Sequence, residues 1–192
     1  MEKSQRSSVV SETGSSLIEV LVATVIMVTG LLGMSQLFLL STMNNTSSRS
    51  DTYSTVLAEQ KMEQLRALAY GFDMAGLPVS DISTDTSVSP PTGDGGTGLQ
   101  PSPASALQTN TVGFVDHVNG QGVIVGNGVN PPGSAVYTRR WSVDPLPTNP
   151  NNTIVLQVLV TPIRNRGQAD AGNVGRLAGE ARVMTIKTRK AQ

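Results

Sequence analysis

Few side chains in this sequence can do chemistry. Among 192 residues there is no Cys and a single His, His117. The lack of Cys excludes a disulfide scaffold, a thiol nucleophile and a Cys-held zinc or iron–sulfur site. One His excludes a His-pair metal motif, and any Ser-His-Asp triad would have to use His117. At the end of a candidate strand, His117 reads as a polar edge residue, so no catalytic residue is assigned. Gly93 to Gly98 spells GxGxxG, but no strand precedes it and no helix follows. With Pro101 and Pro103 just beyond, it reads as a surface loop and not a dinucleotide site. Asp73, Asp81, Asp85 and Asp94 share that stretch, without the spacing of an EF-hand Ca²⁺ loop. No cofactor and no metal ligand set is expected.

One carboxylate is out of the ordinary. Glu19 stands between Ile18 and the run Val20–Leu40, which is 21 residues without a charge or a proline. A helix of that length spans about 30 Å, the hydrocarbon thickness of a bilayer. An acidic side chain inside a bilayer costs about 2.5–3.5 kcal/mol on insertion scales, so it calls for a partner. No basic residue lies within a turn or two. A chain cut after Gly14 would create a positive amine on Ser15, four residues before Glu19. That amine, on this helix or on a neighbouring copy, is the partner the spacing offers. Compensation of the helix dipole by Glu19, worth about 0.3–1 kcal/mol, is compatible with this role. The run is longer than the apolar core of a removable signal peptide and ends in Leu39-Leu40-Ser41-Thr42-Met43, a poor cleavage site. It therefore reads as a retained anchor, and Lys3 and Arg6 before it mildly favour the N-terminus inside.

At these residues the sequence resembles a known family. Gly14-Ser15-Ser16-Leu17-Ile18-Glu19-Val20-Leu21-Val22-Ala23 looks like the class III signal of type IV pilins and pseudopilins, written G-F-[ST]-L-[IL]-E. The resemblance implies that a prepilin peptidase cuts between Gly14 and Ser15 on the cytoplasmic side and methylates the new N-terminus on Ser15. It also implies that Glu19 docks the subunit into a filament. The implied partners are that peptidase, other major and minor pilins, the pilus assembly platform and the inner membrane before assembly. The implied locations are the bacterial inner membrane, as a single-pass N-in precursor, and then the periplasm or an extracellular pilus. Two departures stand out. Ser15 replaces the usual Phe or Met, and Gln36 stands where major pilins often carry a helix-bending proline. The specific motif covers about residues 13–40.

The remaining elements must present this segment. Residues 41–70 continue the helix as an amphipathic half. Leu57, Ala58, Met62, Leu65, Leu68 and Ala69 recur at steps of three and four and form one apolar face. Glu63 and Arg66 are placed to pair at i,i+3 on the other side, and Gly71 is placed as a C-cap. One helix from Ser16 to Tyr70 would be about 80 Å long. Residues 71–110 read as a flexible Pro/Gly-rich loop. Strands are expected over Thr111–His117, Gly122–Val125, Ala135–Val143, Thr153–Thr161 and Ala181–Thr188, with turns at the Gly, Asn and Pro clusters between them. Tyr137, Arg139, Trp141 and Val143 share one face of the third strand, with Tyr137 and Trp141 toward the helix. The fourth strand, with Ile154, Leu156, Val158 and Val160, is the most apolar and is expected to be central. A long helix laid on an antiparallel sheet is an α+β, pilin-like layout, with residues 1–14 as the cleaved leader and 111–192 as the sheet head. The stretches LAEQKMEQLRAL and YTRRWSV also resemble PilV-type minor pilins.

The expected function is that of a minor type IV pilin of PilV type, a non-enzymatic subunit that primes or decorates the polymer. A minor pseudopilin of a type II secretion system shares every motif above. A signal-anchored periplasmic enzyme or binding domain is the rival of a different class. It calls for a catalytic constellation in the head, and the sequence offers none. Lys plus Arg and Asp plus Glu each number 14, so the formal net charge is zero, which argues against a nucleic-acid partner held by bulk attraction. The zero is an average. Residues 1–14 carry two of each sign, 15–69 carry 3 basic and 4 acidic, 70–134 none and 5, and 135–192 nine and 3, for segment charges of 0, −1, −5 and +6. An acidic connector region against a basic C-terminal sheet could orient neighbouring heads.

Overall fold

The computed structural model describes residues 16–165 and 177–190. Gly14 and Ser15 lie outside them. The chain divides into two compact units, residues 1–45 and 46–192.

In the first unit every described residue from Leu17 onward is helical, part of helix α1 (Leu17–Ala67). Its apolar side chains, from Leu17 to Met43, are exposed. The stretch is long and apolar enough to cross a membrane. The hydroxyls of Thr24, Thr29 and Ser35 are satisfied within the helix: Thr24 Oγ1 donates to Leu21 O at 2.8 Å, Thr29 Oγ1 to Val25 O at 2.9 Å and Ser35 Oγ to Leu31 O at 2.9 Å. Each hydroxyl returns to a carbonyl about one turn back, so none is left bare on an apolar surface.

The second unit is an α+β head. The last turns of α1 bury Leu57, Ala58, Met62 and Leu65, four of the six residues expected in the apolar stripe; Leu68 and Ala69 lie past the end of the helix, and Ala69 is exposed. Opposite that stripe, Arg66 pairs with Glu63 at 2.8 Å in solvent. The helix ends at Ala67, before the expected Tyr70. Gly71 is not its C-cap but the middle of strand β1 (Tyr70–Phe72), which pairs with β2 (Pro78–Ser80) in a hairpin. The helix end is finished instead by Lys187, whose Nζ donates to the carbonyls of Arg66 at 2.8 Å and Leu68 at 2.5 Å.

Five antiparallel strands follow: β3 (Val115–Val118), β4 (Ile124–Gly126), β5 (Tyr137–Pro145), β6 (Thr153–Pro162) and β7 (Ala181–Thr188), in the order β4-β3-β5-β6-β7. All five expected strands are present, β7 with the expected bounds and the other four with shifted ends; β3 starts four residues later because Phe114 N–H closes a turn on Thr111 O at 2.9 Å. Trp141, Val143, Leu156, Val158 and Val160 form a core with the apolar stripe of α1. The central strand is β5, not β6. Its other face, Thr138, Arg140 and Ser142, is also buried. The 71–110 segment supplies part of the cover: Asn110 Oδ1 accepts from Arg140 Nε at 2.7 Å, and Ser102 Oγ accepts from Val143 N–H at 3.1 Å. Polar residues can occupy both faces of the middle strand because the segment expected as a loop is packed onto it.

Candidate functional site

The expected docking residue sits where the helix begins. Ser16 precedes α1 and acts as its N-cap: Glu19 N–H donates to Ser16 O at 2.9 Å and faces Ser16 Oγ at 3.3 Å. Ser16 and Glu19 have the S-x-x-E spacing of a capping box. Glu19 is exposed, in the first turn of α1, where a negative charge meets the positive end of the helix dipole. Among the described residues no salt bridge reaches it. The expected cleavage bond and methylated terminus, Gly14 and Ser15, lie outside the described residues.

The strongest electrostatic feature of the head was not anticipated. Asp116 of β3 is fully buried and receives two cations. Arg139 of β5 donates through Nε to Oδ1 at 2.7 Å and through Nη2 to Oδ2 at 2.9 Å, and Lys61 Nζ of α1 reaches Oδ2 at 2.7 Å. The Lys61 ammonium lies 4.3 Å from the centroid of the Trp141 ring and also donates to the Thr86 carbonyl. Arg139 Nη1 reaches back to Gln60 Oε1 at 3.3 Å. Burial is the largest influence on Lys61 and pulls its pKa down to about 8; Asp116 and Asp85 raise it and Arg139 lowers it. The cluster ties α1, β3, β5 and the 85–87 turn to one carboxylate. Its sequence signal was faint but present: Lys61 falls within the apolar stripe, one residue before Met62.

The other residues with chemical potential are occupied structurally. His117 is buried within β3, between β4 and β5, and is not an edge residue. Its Nε2 lies 2.9 Å from Gly128 O, which can only accept, so Nε2 carries the proton; Nδ1 faces Thr138 Oγ1 at 3.1 Å. The connector aspartates close turns. Asp73 Oδ1 accepts from Leu77 N–H at 2.8 Å, Asp81 from Thr84 N–H at 3.0 Å and Thr84 Oγ1 at 2.7 Å, and Asp85 from Ser87 N–H at 2.8 Å. These bonds hold the Asp81 carboxyl below its usual range against the opposing effect of partial burial, which is the largest single influence on it. The glycine run packs back on the same turns. A Cβ on Gly96 would meet Asp85 Cα at 2.2 Å, and Gly98 has φ +50° against the Asp81 carbonyl. Its glycines serve close backbone approach, not a phosphate. Among the described residues no three His, Asp or Glu side chains converge as a metal site would need.

No protein-family model matches the chain, and neither a curated protein nor a solved structure does.

Proposed function

We propose that the chain is a minor type IV pilin of PilV type, held in the membrane by its N-terminal helix, processed between Gly14 and Ser15, and assembled through that helix. The observation that carries the reading is Glu19: a lone carboxylate in the first turn of a helix whose next 21 residues are uncharged, mostly apolar and exposed. Such a helix is stored in lipid and can later pack against copies of itself in a dry filament core. There an unpaired carboxylate is costly, and the amine of a neighbouring mature N-terminus offsets it. The α+β layout of the head supports the reading at the level of fold class. Mass spectrometry of the chain recovered from its native membrane tests it. The expected N-terminus is Ser15 carrying an added methyl group; a chain that still begins at Met1 would return it to the signal-anchored periplasmic class.

A further inference from the structure

The two edges of the head sheet are built differently. At one side β4 has three residues, and its register with β3 shifts between His117 and Val118. Short strands and bulges are how sheets blunt an edge. At the other side β7 has eight residues, no proline and an unbroken register with β6 from Ala181 to Thr188.

The direction of the main chain in β7 follows from its end. Arg189 N–H donates to Asn152 O at 2.9 Å, on the β6 side, whereas Lys190 N–H donates to Tyr70 O at 3.4 Å, on the outer side. Main-chain groups alternate along an antiparallel strand. Lys187, Thr185 and Val183 therefore bond to β6, and Thr188, Ile186, Met184 and Arg182 direct N–H and C=O off the sheet. Among the described residues no strand lies there beyond the contact of Gly71 with Lys190.

The side chains make the two faces of this edge chemically unlike. Met184 and Ile186 are 65% and 60% exposed on the face away from α1. Between α1 and the C-terminal end of β7 lies a cleft of about 430 Å³, reached at the open edge by Ile186 and Thr188 and lined by Arg66, Lys187 and Lys190 with Glu63 as its one acidic residue. Residues 181–190 carry Arg182, Lys187, Arg189 and Lys190 and no acid.

We infer that β7 is an acceptor edge for strand addition and takes an extended segment of another polypeptide in which acidic residues alternate with apolar ones. The backbone of that segment bonds to Arg182, Met184, Ile186 and Thr188. Its apolar side chains lie beside Met184 and Ile186, and its acidic ones, on the opposite face by the period of two, enter the basic cleft. The inference rests on the head alone and stands whether or not the N-terminal helix enters a filament.

The test uses the full chain in detergent micelles and a synthetic decapeptide of alternating Val and Glu, capped at both ends. In the free protein the amides of Met184, Ile186 and Thr188 are expected to exchange quickly, and those of Val183, Thr185 and Lys187 slowly. Peptide binding should protect the first group. The Val/Lys decapeptide should bind at least tenfold more weakly. Ile186→Pro removes an outward N–H and no β6 bond, so it should weaken binding at least tenfold while the melting transition persists. Met184→Lys, which keeps the backbone intact, should weaken it as well. Three results would overturn the inference: slow exchange of the outward amides without peptide, no binding of the Val/Glu peptide, or equal binding of the Glu and Lys peptides. Wild-type affinity in a folded Ile186→Pro or Met184→Lys protein would do the same.

Discussion

Arg139 grips Asp116 side-on across neighbouring strands, Nε on one carboxylate oxygen at 2.7 Å and Nη2 on the other at 2.9 Å. Both residues are buried, and they are register partners in the β3–β5 ladder. Lys61 completes the arrangement from α1. A single anion thus compensates two buried cations. Asp116→Asn leaves both without their counterion and is expected to destabilise the head by about 3–5 kcal/mol. Urea unfolding followed by Trp141, the sole tryptophan, measures it. Replacing all three residues together, as Lys61→Met, Asp116→Leu and Arg139→Met, is expected to recover most of that loss, because apolar groups of similar volume carry no desolvation penalty. A triple variant as unstable as Asp116→Asn would mean that the ion cluster itself stabilises the head.

The same cluster gives stability a dependence on pH. Burial lowers the Lys61 pKa from 10.5 to about 8. Between those values the unfolded chain holds a proton that the folded chain has released. Stability is therefore expected to rise as pH increases from about 8 to 10.5, by the linkage of proton uptake to unfolding. Lys187 is shifted in the same direction, first by partial burial and then by Lys190 and Arg66. The comparison that isolates Lys61 is wild type against Lys61→Met. The variant should show a shallower rise across this window in denaturant titrations, and parallel curves would remove Lys61 as the source.

Much of the head was legible because its signals are periodic. The stripe from Leu57 to Leu65 and the alternation from Ile154 to Val160 each specify one face of one element, and both faces are buried as expected. The Asp116 cluster was not legible in this way. Its three members sit on three elements, and only folding shows that they meet. The β1–β2 hairpin was missed for a related reason. Tyr70 continues the helical pattern locally, but Arg189 places its guanidinium 4.2 Å from the Tyr70 ring centroid and donates to Gly71 O at 3.1 Å and Val79 O at 2.7 Å. A residue over a hundred positions away fixes that turn. At the N-terminus the reverse holds: Glu19 stands out in the sequence because a charge interrupts an apolar run.

Lys187 closes the end of α1 by donating to two of its carbonyls, those of Leu65 and Arg66, and to that of Leu68 just past its end. A cation there also meets the negative end of the helix dipole. Lys187→Met keeps the aliphatic stem and removes the donors, and is expected to cost about 1–2 kcal/mol, at the low end for charged hydrogen bonds because the group is partly solvated. Exchange of the last amides of α1 should accelerate more than that of β5. Uniform acceleration would show a global effect instead of a cap.

The glycine run sets a steric test of the connector. Gly96 N–H donates to Ser83 O at 2.8 Å, and a Cβ there would lie 2.2 Å from Asp85 Cα and 2.4 Å from Thr84 O. Both obstacles are backbone and do not swing away. Gly96→Ala is expected to destabilise by about 1–3 kcal/mol through overpacking. Gly93→Ala, with nothing within 4 Å of its added carbon, is the control and should be near neutral. Equal melting temperatures for the two variants would mean that the 81–99 turns move apart at little cost.

Substitution of Glu19 is expected to separate assembly from membrane insertion. It is the only charge between Glu12 and Arg49, so Glu19→Ala makes the apolar segment more favourable in lipid, and insertion should be unimpaired. Its carboxylate also favours the first turn of α1, but that contribution is only about 0.3–1 kcal/mol, too little to unfold a helix of 51 residues. Loss of filament incorporation in Glu19→Ala, with normal amounts in the membrane fraction, would therefore report the missing contact with a neighbouring chain. Glu19→Gln sharpens the reading: it keeps the shape and the hydrogen-bonding capacity but not the charge. If an amine is the partner, Gln should fail nearly as badly as Ala, since a buried ammonium left without its counterion is destabilised by several kcal/mol. Incorporation of Glu19→Gln at wild-type levels would show that hydrogen bonding, not charge, holds the contact. Incorporation of both variants at wild-type levels would leave Glu19 with no docking role.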